Sequence, residues 1–358
     1  MPSYRILVIN PGSTSTKIAV FQDDNEIFNR TIKHSPEQLT GYTKVIDQYE
    51  FRRKIIEEQL KENNIDLRSF DSVVGIGGLT RPVESGTYII NKKMLDDLAD
   101  KSIWGMSHAS ALGAYIAKSI SDELNIPAFI VDPISVNEFD DIARISGVVE
   151  IERKCLSHAL NIKAVGRELA QTLCKDFNEC NFIAAHLGGG ITISPLRKGR
   201  IIDANNAMLG MGPFSPQRAG ALPIGGVIDL CFSGKYTKKE LERKFVKESG
   251  FIAYLGTDDG IAIVKEIEKN NKKFITIVQA MAYQIAKEVG ACATVLKGKV
   301  DAIYYTGGLA NNKYLMKWIK ERTEFIAPIY IYPGEKEMYA MAQGVIRVLK
   351  GEEQAKEY

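Results

Sequence analysis

The chain has 358 residues, 45% hydrophobic and 25% charged, with a net charge of +2, a size and balance suited to two globular domains that each bury a core. So small a net charge gives no footing to nucleic acid or an anionic membrane as partner, and no run approaches the roughly 18 apolar residues of a membrane-spanning helix. Met1-Pro-Ser-Tyr-Arg5 leads straight into an apolar run, and Cys155, Cys174, Cys180, Cys231 and Cys292 include no Cys-x-x-Cys pair, so a cytoplasmic protein without a cysteine-held metal or redox centre is expected.

Ile6-Leu-Val-Ile9 reads as a buried strand, Asn10-Pro-Gly-Ser-Thr-Ser-Thr-Lys17 as a turn, and Ile18-Ala-Val-Phe21 as the returning strand. Gly12 permits close backbone approach, and the turn's successive N–H groups and hydroxyls can form an anion-binding nest. Taken alone, this stretch fits an ordinary polar hairpin tip as well. Residues 36–64 carry Val45, Ile46, Tyr49, Ile55, Ile56 and Leu60 at helical spacing. A strand at Ser72-Val-Val74 opens into Gly75-Ile-Gly-Gly78 and Leu79-Thr-Arg-Pro-Val83, where Arg81 is either a solvated arginine or a group that holds an acidic substrate. Ser107 is the expected N-cap of a helix through Ala109, Leu112 and Ile116. The strand Ala128-Phe-Ile-Val131 stops at Asp132-Pro133; Asp132 either starts a turn or points into the crevice where α/β sheets bind ligands.

Ser157 to about Phe177 is expected to be helical, with His158 in its first turn, where free N–H groups attract anions. Phe182-Ile-Ala-Ala-His186 then runs into Leu187-Gly-Gly-Gly190, a strand Ile191-Thr-Ile-Ser194, the turn Arg197-Lys-Gly-Arg200 and a third strand at Ile201. This repeats the grammar of the N-terminus, and Gly12 and Gly188 stand about half a chain length apart, so the chain reads as a duplication. Residues 203–220 are rich in glycine and proline and poor in charge apart from Arg218, which favours a cleft lining over a surface loop. Ala302-Ile-Tyr-Tyr305 leads into Thr306-Gly-Gly-Leu-Ala-Asn311, and Pro328-Ile-Tyr-Ile-Tyr332 into Pro333-Gly-Glu335 and a helix from Met338 to Leu349, with a frayed tail expected after Gly351. Neither a Walker loop nor the protein-kinase motif set is present, and no His-x-x-x-His pair marks a helical metal site.

Two α/β halves that each begin with a glycine-bearing hairpin resemble the actin, sugar kinase and Hsp70 superfamily. Within it, Asn10-Pro-Gly-Ser-Thr-Ser-Thr-Lys17, His186-Leu-Gly-Gly-Gly190, Gly212-Pro-Phe-Ser-Pro-Gln-Arg218, Thr306-Gly-Gly308 and Tyr332-Pro-Gly-Glu335 resemble the acetate and butyrate kinase family. The resemblance implies duplicated ribonuclease H-like domains facing each other across a nucleotide cleft, with residues 1–150 plus 338–358 in one and 151–337 in the other. It also implies ATP and ADP as nucleotides, Mg2+ as the metal, a short carboxylate as acceptor and a homodimer or higher homo-oligomer. Butanoate is the first acceptor to expect, then isobutanoate, then acetate or propionate; a non-catalytic actin-like scaffold is the reading from another class.

On the same resemblance, Asn10, Gly12, Ser13, Thr14, Lys17, Gly188, Gly189, Gly190, Gly307, Gly308 and Asn311 would hold the nucleotide. Arg218, His158, His186 and Arg81 would stabilise the transferring phosphoryl group, and Asn10, Asp132 and either Glu335 or Glu337 would orient the metal and its waters. The chain departs from the family at Ile76, where an arginine is usual, at Ser157, which replaces an aromatic residue, and near Met211 and Gln217, where acidic residues are usual.

Overall fold

The computed structural model describes residues 3–105, 108–208 and 210–358. The expected N-cap Ser107 lies outside them; the helix itself runs Ala111–Leu124 with Ser110 at its cap position. Contacts divide the chain into two units, Met1–Asn137 with Lys336–Tyr358, and Glu138–Glu335, so the division falls earlier than the boundary expected after residue 150.

In the first unit, β1 (Arg5–Pro11), β2 (Ser15–Gln22) and β3 (Asn25–Lys33) form an antiparallel meander, and β4 (Ser72–Ile76), β5 (Thr87–Ile89) and β6 (Ala128–Val131) complete a sheet of order β3-β2-β1-β4-β6-β5. β1 pairs in parallel with β4, Val8 opposite Val74, and β4 in parallel with β6. Strands buried on both faces read as unbroken apolar runs, and Ile6, Leu7, Val8 and Ile9 are all fully buried. Leu7, Ile9, Val73 and Ile130 share a core with Leu112 and Ile116 of the helix Ala111–Leu124. Val131, one residue further and so on the opposite face, meets Gly344 of the helix Glu337–Leu349. A side chain at Gly75 would collide with the backbone of Gly113, so this glycine serves close packing of helix on strand.

The second unit repeats the plan. β7 (Asn181–Leu187), β8 (Ile191–Arg197) and the short β9 (Arg200–Ile201) are the antiparallel part, and β10 (Ala302–Gly307) and β11 (Ile329–Pro333) the parallel part, in the order β11-β10-β7-β8-β9. Read from the other edge, this is the order of the first sheet without β5. The register sets His186 opposite Thr306. Tyr304 donates to the Ile162 carbonyl in the helix Ala159–Thr172. Its neighbour Tyr305 faces the other way, into a core with Val278, Ile285 and Val289 of the helix Lys272–Val295.

Three local expectations change. The helical stretch 36–64 is broken: a single turn at Pro36–Leu39 and a 3-10 turn at Val45–Gln48 precede the helix Tyr49–Glu62. Between the two short turns Gly41 takes a positive φ of 111°, which stops propagation. The helix after His158 ends at Thr172, and Phe177 lies in a separate 3-10 turn capped by the Asp176 side chain. The tail does not fray. Lys356 pairs through its backbone with Thr87 and Ile89 at 2.8 and 3.0 Å, and Tyr358 packs against the first core. Among the described residues, no helix is long and apolar enough to cross a membrane.

Candidate active site

In the first unit, the β1–β2 turn turns its carbonyls inward. Gly12, Ser13 and Ser15 present theirs to the guanidinium of Arg52, Gly12 N–H closes on Ser15 O at 2.7 Å, and Thr14 O accepts from His34 N–H at 2.9 Å. Ser13 and Thr14 are exposed, and Lys17 is exposed opposite Asn10 in the ladder; directly opposed residues share a face of the sheet. Asn10 Nδ2 donates to Glu337 Oε2 at 2.8 Å, at the first turn of the helix Glu337–Leu349.

Of the other candidates in this unit, Asp132 is 3% exposed and ends β6 in a left-handed conformation, φ 39°, which is uncommon outside glycine. Its Oδ1 accepts from Ser85 Oγ at 2.5 Å and Gly86 N–H at 2.8 Å. Arg81 is paired with Asp97 through Nε and Nη2 at 2.8 and 3.0 Å, and Tyr358 Oη accepts from its backbone N–H. The Asp97 hydrogen bond holds the Arg81 guanidinium above its ordinary pKa. Arg81 is therefore already satisfied by a carboxylate of the chain. Ile76, at the end of β4, leaves that position without a charge.

In the second unit, the candidates converge. His158 precedes the helix Ala159–Thr172 at its N-cap, His186 lies in β7, and their rings stack with centroids 4.1 Å apart. His158 Nδ1 is 2.8 Å from Thr192 Oγ1. Asn161 Nδ2 reaches both His186 Nδ1 at 3.0 Å and Thr306 Oγ1 at 3.1 Å. An amide nitrogen only donates, so Nδ1 of His186 accepts and its proton resides on Nε2, the ring nitrogen beside Gly188. Burial pushes His186 down to about 4, and burial, then the charges of His186 and Arg218, push His158 well below the usual histidine range. Both rings are neutral at pH 7.

The Gly188–Gly190 turn closes by Gly188 N–H to Gly190 O at 3.1 Å, and Ser215 Oγ donates to Gly189 O at 2.6 Å. Ser215 Oγ also accepts from Arg218 N–H at 3.1 Å, tying the arginine's backbone to the turn. The guanidinium rests on the Ala207 carbonyl and against Gly190, where any Cβ would displace it. Burial holds Arg218 below its ordinary pKa, and among the described residues it donates to neutral groups, Ser215 Oγ and the Ala207 carbonyl. It forms part of the wall of a cavity of about 420 Å³ whose apolar lining includes Ile191, Met208, Met211, Pro213, Val227 and Phe245. Residues 203–220 thus shape a cavity, in keeping with their low charge. Gly307 exchanges backbone hydrogen bonds with Gly334 at 2.9 and 3.0 Å, Gly308 and Asn311 form the 3-10 turn that follows, and Glu335 is exposed.

Four residues that sequence reasoning left unassigned belong to these sites: Arg52, Asn161, Thr192 and Thr306. Each had a signal. Arg52 stands one and two turns before Ile56 and Leu60, on the buried stripe of a charge-rich helix, and Asn161 is a lone amide on the buried side of Ala159–Thr172.

Comparison with known proteins agrees with this geometry. The model of the Acetokinase family matches residues 149–325. The chain is 48% identical to Butyrate kinase 1 of Clostridium acetobutylicum over 355 residues, 99% of each. Among solved structures it is similar in fold to an acetate kinase from Porphyromonas gingivalis, with a TM-score of 0.81, 17% identity, and 97% of this chain and 100% of that one covered. A propionate kinase from Francisella tularensis gives 0.77 at 18% identity, covering 95% and 98%. A duplicated actin-like α/β fold, a glycine turn under paired neutral histidines, and near-half identity along the whole length establish that the chain belongs to the acetokinase family.

Proposed function

We propose that this protein catalyses reversible transfer of the γ-phosphoryl group of ATP to butanoate, giving butanoyl phosphate and ADP. Arg218 carries the reading: a largely buried guanidinium with no carboxylate partner among the described residues, beside a glycine turn and two neutral imidazoles, on the wall of an apolar cavity of about 420 Å³. A cation left without a counterion beside apolar surface suits a small anion with a hydrocarbon tail.

A short carboxylic acid has a pKa of about 4 to 5, like the acidic side chains, and is ionised at neutral pH. It needs no general base. The work left to the chain is to orient the carboxylate in line with the γ-phosphorus and to meet the charge on the equatorial oxygens as the bond to ADP breaks. Arg218 supplies full charge for this. His186 Nε2–H and the N–H groups of Gly189 and Gly190 supply neutral donors; the low pKa of His186 keeps its ring uncharged, and the Asn161 amide on Nδ1 keeps the proton on Nε2. His158 adds a second neutral ring against it.

Among the described residues no group of three or more His, Cys, Asp and Glu side chains is placed to hold a metal. The pairing of Asn10 with Glu337 suits Mg2+, which keeps most of its waters and relies on substrate phosphates. Bound with the nucleotide, Mg2+ would neutralise the β- and γ-phosphate oxygens. Asp132 belongs to the same proposal through its place at the end of β6. The enzyme is proposed to act as a homodimer or larger homo-oligomer in the cytoplasm, where its exposed free thiols Cys174 and Cys231 meet a reducing medium.

The test is acyl phosphate formation, trapped as hydroxamate, with MgATP and acetate, propionate, butanoate, isobutanoate and valerate in turn, for the wild type and Arg218→Ala. The expected result is the highest kcat/KM with butanoate and a loss of about a hundredfold in the variant. No acyl phosphate from any acid by a protein that binds ATP would remove the substrate reading.

A further inference from the structure

Arg52, 1% exposed, lies beneath the β1–β2 turn with no carboxylate of the described residues in its hydrogen-bonding shell. Nη1 donates to Gly12 O at 2.8 Å, Ser15 O at 2.9 Å and Thr16 Oγ1 at 3.1 Å, and Nη2 donates to Ser13 O at 3.2 Å. Gln48 Oε1 accepts from Nε and Nη2 at 3.2 and 2.8 Å. A buried cation usually needs a carboxylate; here a half-ring of backbone oxygens replaces it.

The consequence is polarity. The carbonyls of Gly12, Ser13 and Ser15 are engaged by Arg52, Ser15 O also accepts from Gly12 N–H, and Thr14 O is taken by His34 N–H. Ser13 and Thr14 are left exposed, with N–H groups that find no acceptor among the described residues. Consecutive outward N–H groups form an anion nest. A planar fork of five donors can gather this many oxygens, whereas a lysine has three donors and a point charge. Thr16 Oγ1 accepts from Arg52, and its own hydrogen is free for His34 Nε2 at 2.8 Å, which anchors the far end of the turn.

We propose that Arg52 is a positioning residue for the nucleotide: it turns the carbonyls of Gly12, Ser13 and Ser15 inward, so that the Ser13 and Thr14 N–H groups meet phosphoryl oxygens, and its charge adds to the field felt there. The inference rests on reading this turn as a nucleotide phosphate site. Arg52 itself touches no ligand.

The test measures MgADP binding by calorimetry, with steady-state KM values for ATP and butanoate, in the full chain. Arg52→Lys and Arg52→Gln are compared with Ile56→Ala, which weakens the core one turn along the same helix without touching the turn. Both arginine variants are expected to bind MgADP at least about tenfold more weakly and to raise the KM for ATP in step, with the KM for butanoate within about twofold. Ile56→Ala should bind as the wild type does despite a lower Tm. If the arginine variants fold too poorly to measure, Gln48→Met, which keeps the arginine but frees its outer edge, should give the same ordering at about threefold. Wild-type affinity in the arginine variants, or a loss in Ile56→Ala matching its loss of Tm, overturns the positioning role. A wild type that does not bind MgADP overturns the nucleotide reading beneath it.

Discussion

The rings of His158 and His186 stand face to face, 4.1 Å between centroids and 16° from parallel. Two imidazolium ions at that distance would repel strongly, and burial already favours the neutral forms. The sign follows. His186 has a folded pKa of about 4 against an unfolded value of about 6.5, so its contribution to stability is full above about pH 6.5 and is lost as pH falls toward 4. The shift corresponds to roughly 3 kcal/mol. Unfolding free energies from pH 4 to 8 should fall on the acid side of 6.5, and His186→Gln should flatten part of that fall. An unchanged slope would show that the pair does not titrate as its burial requires.

Gly190→Ala is expected to lower kcat by about a hundredfold with little change in fold. The backbone there needs no positive φ, so alanine is conformationally allowed, but its Cβ would take the place of the Arg218 guanidinium and come within 3.3 Å of His158 Cε1. Gly290→Ala, in the middle of the long helix Lys272–Val295 with open space around it, should leave kcat unchanged and raise stability by about 0.5 to 1 kcal/mol. Kinetics and thermal melts of the two variants check both statements.

The two arginines expected to serve the phosphoryl group should separate. Arg81 is more than half exposed and already held by Asp97, so Arg81→Ala should lower kcat by less than about threefold and stability by less than about 1 kcal/mol. The loss from Arg218→Ala should exceed it by more than an order of magnitude. Equal losses would place Arg81 on the substrate and require Asp97 to release it.

Glu335 and Glu337 make a similar contrast. Glu337 accepts from Asn10 at 2.8 Å, while Glu335 is exposed. A titration of activity against Mg2+ should show a raised requirement, by about tenfold, for Glu337→Gln and almost none for Glu335→Gln.

The legible parts of this chain were those in which composition and period agree. Ile6–Ile9 and Phe182–His186 announce central strands, and the small residues after each announce turns, so the duplication could be read directly. Arg218, His158 and His186 stand out through the motifs around them, and the structure brings the three together. Less could be read where a charged residue sits at an apolar position. Arg52 was passed over because an arginine among Glu and Lys looks like surface, and only the fold shows that the turn's carbonyls solvate it. Arg81 shows the reverse: its sequence fits a solvated arginine and a substrate-holding one equally well, and only the fold shows that the helix Lys92–Ala99 brings Asp97 against it. Tyr358 was lost because a charged terminal stretch says nothing about the strand it will lie against.

That last stretch alters the margin of the first sheet. β5 is an edge strand, and its outward amide groups would be a template for a strand from another molecule. Glu353 accepts from Thr87 N–H at 3.0 Å, while Lys356 accepts from Ile89 N–H and donates to Thr87 O. Proteolytic loss of residues 353–358 would therefore uncover an adhesive rim, and the first sign of it would be slow association of otherwise folded molecules.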